Sequence, residues 1–299
     1  MQFGDEVQSD DVLAVRKRFS EISIIKLISL LIVAMIAMAT VFALAGSVLA
    51  IEGVETEFLW GECFDAAMSL GMLGVLMLLF RNHRLSFFPI FQRRTANLTD
   101  VVIVLPLIGF SLSSMGAIVI GLNLISADLA QAYLDFASRM VPTISTDADS
   151  PIYSYLVLLV TLAILPSLLE ELVFRAGMIE RLGRKFGFKL GVVISAVLFG
   201  MLHPFDVIGA TAFGVVMGLL YLKSLSLFLP LVVHLLNNGA VVLMIYLDDH
   251  FLQLEAWDSV EQYTRHTGLT LAMLFLSSWW IVHFVRHNWS FVSIRKPIG

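Results

Sequence analysis

A single cysteine, Cys63, stands in 299 residues. It excludes an intrachain disulfide and any cysteine-based metal cluster. Charge is also scarce, at 14% of residues, where an ordinary soluble domain carries about 25%. Apolar side chains take its place at 58% of the chain, above the roughly 45–50% of soluble domains. No internal repeat, low-complexity tract or soluble domain is visible, and no nucleic-acid partner is expected. The net charge of −5 says little about partners, because it divides by side of a membrane.

What is present is a series of long apolar runs. A helix needs about 20 apolar residues to cross a bilayer, and it satisfies its own backbone there, so the expected fold is all-α and polytopic. Eight spans are expected, near 24–49, 64–80, 100–125, 153–182, 188–203, 205–222, 226–247 and 268–286. The run from 24 to 50 is broken only by Lys26 and is far longer than a signal-peptide core. It is read as a retained first span behind a cytoplasmic segment, 1–23, with 1–299 forming one membrane domain.

Loop charge orients the spans. Sixteen basic residues fall on one side, among them Arg16, Lys17, Arg18, Arg81, Arg84, Arg181, Arg184, Lys185, Lys223 and Arg286. The opposite loops hold only Arg139 and Arg265, with fifteen acids that include Glu52, Asp147, Asp149, Asp248 and Asp249. The positive-inside rule places both termini in the cytoplasm. No organelle-type extension precedes the first span, so an inner or plasma membrane, in a bacterial cell, is the expected location. Three connections, 85–94, 127–140 and 251–263, pair aromatics with polar side chains and read as short helices on the headgroups.

Ionisable residues inside spans are the exception to this pattern. Glu170, Glu171 and Arg175 interrupt the fourth run, at roughly 2.5–3.5 kcal/mol each on insertion scales. Glu171 precedes Arg175 by four residues, the favoured order for a helical ion pair. Glu170 lies about 100° around the helix from its neighbour, so the two glutamates are not expected to face one target. A lone carboxylate in an apolar, partly hydrated cavity suits a general base working near neutral pH. A structural ion network that fixes helix packing is the competing account.

His203 and His234 lie deep in their own runs. If spans 4 and 5 form a hairpin turning near Gly183–Gly187, Glu170 lies level with residue 201 and within a turn of His203, with Gly200 permitting close approach. His234 and Asn238 share a helix face at i,i+4 spacing. They either donate to a developing oxyanion or make ordinary interhelical hydrogen bonds. Pro166, one turn before Glu170, removes a backbone hydrogen bond there.

Together the three segments resemble the CAAX prenyl endopeptidase and bacteriocin-processing (CPBP, or Abi) family of intramembrane proteases. That family's Glu-Glu-x-x-x-Arg, Phe-x-x-x-His and His-x-x-x-Asn/Asp motifs stand here as Glu170-Glu171-Leu-Val-Phe-Arg175, Phe199-Gly-Met-Leu-His203 and His234-Leu-Leu-Asn-Asn238. The resemblance covers about 153–247 and implies a glutamate-dependent endopeptidase. By that analogy Glu170 activates water, His203 helps to position it, and His234 with Asn238 stabilises the oxyanion. Glu171 and Arg175 form the supporting shell. The family commonly has Arg-Gly after the glutamates, whereas this chain reads Arg175-Ala176-Gly177.

The expected substrate is a membrane-associated peptide or protein, and the oligomeric state is left open. No cofactor is expected. Zinc is the disfavoured alternative, since the helical His-Glu-x-x-His arrangement is absent. No Gly-x-Ser-Gly or Gly-x-Gly-Asp segment supports serine or aspartyl intramembrane chemistry. Two other classes compete: a non-proteolytic scaffold or bacteriocin-immunity protein of the same family, and a transporter that relays protons through the glutamates and histidines.

Overall fold

The computed structural model describes residues 10–49, 54–82, 88–91, 98–139, 152–252 and 259–294. Among these residues the chain is helical, with no strand. The helices are α1 (Asp10–Glu21), α2 (Ile24–Leu49), α3 (Val54–Asn82), α4 (Val104–Asn123), α5 (Ala127–Ser138) and α6 (Ile152–Phe186). They continue as α7 (Phe188–Met201), α8 (Val207–Ser224), α9 (Phe228–Leu247), α10 (Val260–Arg265) and α11 (Thr267–Ile294). Seven are long and apolar enough to cross a membrane: α2, α3, α4, α6, α8, α9 and α11.

The fifth expected span differs. Helix α7 has 14 residues, about 21 Å at 1.5 Å per residue, against a hydrocarbon core of about 30 Å. It ends at a turn, 202–206, from which the chain returns as α8. Leu202 closes the helix with non-helical residues following, and Asp206 opens the next by accepting from the Gly209 N–H.

Helices α6 and α7 form the expected hairpin. Gly187 makes the turn at φ +85°, a conformation that costs a side chain but not glycine. The Ser195 hydroxyl donates to the Phe174 carbonyl at 3.1 Å, and Gly191 lies against Gly183 so closely that a Cβ would sit 2.9 Å from the Gly183 nitrogen. These pairs match the expected register. Gly200 has another task, because its α-carbon faces Val207 and Thr211 of α8 rather than α6. Close backbone approach is what packs helices in lipid, where apolar burial supplies little drive.

At the basic end of the bundle, α1 is bound to the last turns of α6. Arg16 donates to both carboxylate oxygens of Glu180, at 2.6 and 3.3 Å, and Tyr221 of α8 donates to the same group at 2.6 Å. Arg181 donates to the Ser20 carbonyl. Burial opposes charge on Arg16, but Glu180 and Tyr221 outweigh it and hold the guanidinium above its ordinary value. At the other end α5, the helix expected at 127–140, folds against α4 through Val119, Ala130 and Leu134. Its Tyr133 hydroxyl donates to the Phe205 carbonyl at 2.7 Å. Of the connections 85–94 and 251–263, residues 85–87, 92–94 and 253–258 lie outside the described residues, which include Phe88–Phe91 and α10.

Candidate active site

Helix α6 is not uniformly α. Its backbone is π-wound at Leu159–Ile164 and again at Glu171–Ile179, a deviation that recurs at functional sites. Pro166 accounts for part of this. It has no N–H to give the Leu162 carbonyl four residues before it, and Asn238 of α9 donates to that carbonyl instead, at 3.1 Å. The proline and the asparagine therefore act together: one vacates an acceptor and the other ties α9 to it.

The second π segment carries Glu171 and Arg175, both fully buried, with Arg175 Nη1 3.2 Å from Glu171 Oε1. The guanidinium lies over the Phe199 ring at 4.9 Å and near the Phe213 ring at 6.0 Å, a cation–π seat away from water. Phe199 also holds the next residue of interest. Its carbonyl binds His203 Nδ1 at 2.8 Å, and the two rings lie 4.5 Å apart. The Phe-x-x-x-His spacing thus has a physical reading: one phenylalanine supports the arginine with its ring and the histidine with its backbone.

His234 sits between the two glutamates. Its Nδ1 donates to Glu171 Oε1 at 2.8 Å, and its Nε2 lies 3.5 Å from Glu170 Oε2. The expectation that neighbouring glutamates would not share a target is corrected here. An imidazole offers two nitrogens on different edges, so adjacent side chains on the helix each take one. Of the four groups only Glu170 is partly exposed, its side chain 23% exposed while those of Glu171, Arg175 and His234 are 0, 1 and 3% exposed.

A cavity of about 220 Å³ adjoins this cluster. His203, His234, Asn237 and Asn238 line it, together with Asp206 and Ser111. Glu170 and Glu171 are not on its wall and meet it through His234. Asn237 donates to Asn238 Oδ1 at 3.2 Å, leaving the second amide hydrogen of Asn238 available beside the one on Leu162. Asp206 is the residue that sequence reading missed. Burial pushes its carboxyl above the ordinary value, against hydrogen bonds from Ser111 and the Gly209 N–H and the influence of His203. The available signal was an acidic residue followed three positions later by Gly209 and an apolar helix, an N-cap pattern inside what read as a continuous span. Among the described residues no three His, Cys, Asp or Glu side chains are arranged to hold one metal ion.

Fold and site together define a multi-pass helical membrane protein with an ionisable cluster set between its helices. Residues 152–240 match the family model described as "Type II CAAX prenyl endopeptidase Rce1-like". This segment, from α6 into α9, contains all seven motif residues, and its similarity to that family agrees with the resemblance drawn from the three motifs. No curated protein and no solved structure matches the chain.

Proposed function

We propose that the protein is a glutamate-dependent intramembrane endopeptidase acting on membrane-associated peptides or proteins. The observation that carries the reading is the exposure of Glu170 beside three buried partners. It is the one partly exposed carboxylate of the cluster, and it has no partner in its own helix. His203, with Nδ1 committed to a carbonyl, offers Nε2 as an acceptor for one hydrogen of that water. Glu170 takes the other as the oxygen adds to the scissile carbonyl carbon. His234 and the free amide hydrogen of Asn238 stabilise the oxyanion, and Glu170 returns its proton to the departing amine as the C–N bond breaks. Glu171 and Arg175 hold His234 in place.

The substrate arrives with a lipid-compatible anchor, because the site lies among spanning helices. The matched family's description points to prenylated C-terminal tails; a bacteriocin-like precursor or a membrane protein fits the same geometry. The reaction as written needs no metal, and the charge pattern of the loops favours cytoplasmic termini in an inner or plasma membrane. Purified wild-type protein and Glu170→Ala are compared on a panel of membrane-tethered peptides, prenylated Cys-aliphatic-aliphatic-X tails among them, with products read by mass spectrometry. Products from the wild type alone support the reading. Blank traces from two equally folded proteins would move the assignment to the scaffold or immunity class.

A further inference from the structure

The turn between α7 and α8 carries two residues that face the same cavity, His203 and Asp206. A carbonyl oxygen only accepts, so the 2.8 Å contact with Phe199 puts the hydrogen of His203 on Nδ1 and leaves Nε2 free. Asp206 is clamped from two helices. Its Oδ1 accepts from the Gly209 N–H at 3.0 Å and lies 3.5 Å from the Ser114 hydroxyl, while Ser111 of α4 donates to Oδ2. Capping α8 does not explain the charge, because Asn, Ser or Thr caps as well. In an apolar bundle the ionisable choice is the expensive one. The carboxylate's influence also extends past its hydrogen bonds, since it contributes, after burial, to holding the Tyr133 hydroxyl above its ordinary value.

We propose that Asp206 is a positioning residue for the hydrolysis: clamped by Ser111, Ser114 and Gly209, it fixes the turn and sets a negative charge beside His203. The proposal rests on the endopeptidase reading and adds a second carboxylate–histidine pair to its cavity. Glu171 holds His234 from α6, and Asp206 holds the turn that carries His203, its N–H bonded to the His203 carbonyl at 2.9 Å. With the ring held by the Phe199 carbonyl on one edge and the anion alongside, Nε2 stays directed at the water that Glu170 deprotonates. Tyr133 of α5, bound to the Phe205 carbonyl, closes the same turn from outside.

Asp206→Asn tests the charge alone. Asparagine keeps the helix cap and an acceptor for the serine hydroxyls. On a tethered peptide that the wild type cleaves, kcat should fall about tenfold or more with KM nearly unchanged, and the thermal midpoint should stay near that of the wild type. Wild-type turnover by Asp206→Asn would overturn the proposal and reduce Asp206 to a cap, with the endopeptidase reading intact. A rise in KM at unchanged kcat would overturn it in favour of substrate binding. A readout independent of cleavage is the rate at which diethyl pyrocarbonate modifies His203, followed by peptide mass spectrometry. It should rise in Asp206→Asn, and an unchanged rate would sink the coupling even if no peptide in the panel is cut. Should Asp206→Asn not fold, Ser111→Ala releases Oδ2 while keeping the cap, and kcat must fall at constant KM.

Discussion

Helix α6 carries two buried ion clusters nine residues apart, built from the same residue types with opposite results. At Glu180 no buried side-chain atom lacks a partner: Arg16 binds both carboxylate oxygens and Tyr221 adds a third hydrogen bond. At Glu171 the pairing is incomplete. Arg175 Nε, Nη1 and Nη2 have no hydrogen-bond acceptor, and Oε2 of both Glu170 and Glu171 has no donor. The first cluster is saturated and rests on α-helical backbone; the second lies on π-wound backbone, next to a cavity. Buried polar groups are nearly always paired, so a group of orphans in one place is a cost that a purely structural pair has no reason to bear. The difference separates an ion pair that fastens a helix from one kept ready for chemistry.

The largest expected effect that would break this contrast is on turnover. Glu170→Gln should lower kcat by about 10³-fold or more, in the range of losing a general base, while thermal unfolding in detergent shifts little because the side chain is partly exposed. If Glu180→Gln proved equally damaging to kcat in protein that remained folded, the two clusters would not differ in kind.

Next come the two arginines. Arg175→Ala and Arg16→Ala each leave a buried carboxylate unpaired, at a cost of about 3–5 kcal/mol. Both should lower the thermal midpoint. They should part in activity: the folded fraction of Arg16→Ala keeps the wild-type kcat, and that of Arg175→Ala does not, since Glu171, which orients His234, loses the guanidinium beside it. Comparable kcat losses per folded molecule would refute the separation.

How far this was legible in the chain follows the range of the interactions. The α6–α7 register was readable because a hairpin with a known turn has one free parameter, and the pairs at Gly183 and Gly191 obey it. The motif spacing was readable because i,i+4 residues share a face. The grip of Glu171 on His234 and the amide of Asn238 on Leu162 join helices far apart in sequence, and no periodicity encodes them. Nor does it encode Arg16 with Glu180, 164 residues apart. Helix α7 read as a span because composition counts apolar residues and cannot see that Asp206 begins a new helix within the run.

A smaller effect concerns metal. Glu170, His203 and His234 are the side chains a zinc reading needs, and His234 already has a carboxylate at each nitrogen. EDTA or phenanthroline should leave the initial rate within about twofold, a negligible change in barrier. Inhibition that added zinc reverses would replace water activation by Glu170 with a metal-bound nucleophile.

The smallest expected effect is the most searching for the comparison. A saturated buried pair is replaceable by apolar groups of similar volume at little cost, or with a gain of about 1–4 kcal/mol. The triple variant Arg16→Met, Glu180→Leu, Tyr221→Phe removes every member of that cluster together, so nothing is orphaned. Its midpoint should equal or exceed that of the wild type, and cleavage should be unchanged. The parallel replacement, Glu171→Leu with Arg175→Met, removes the partner of His234 Nδ1 and should abolish cleavage even if stability rises. Only the cluster beside the cavity then needs its charges. If the triple variant also lost cleavage, docking of α1 on the end of α6 would be part of the active arrangement, and Glu180 would no longer serve as the structural member of the pair.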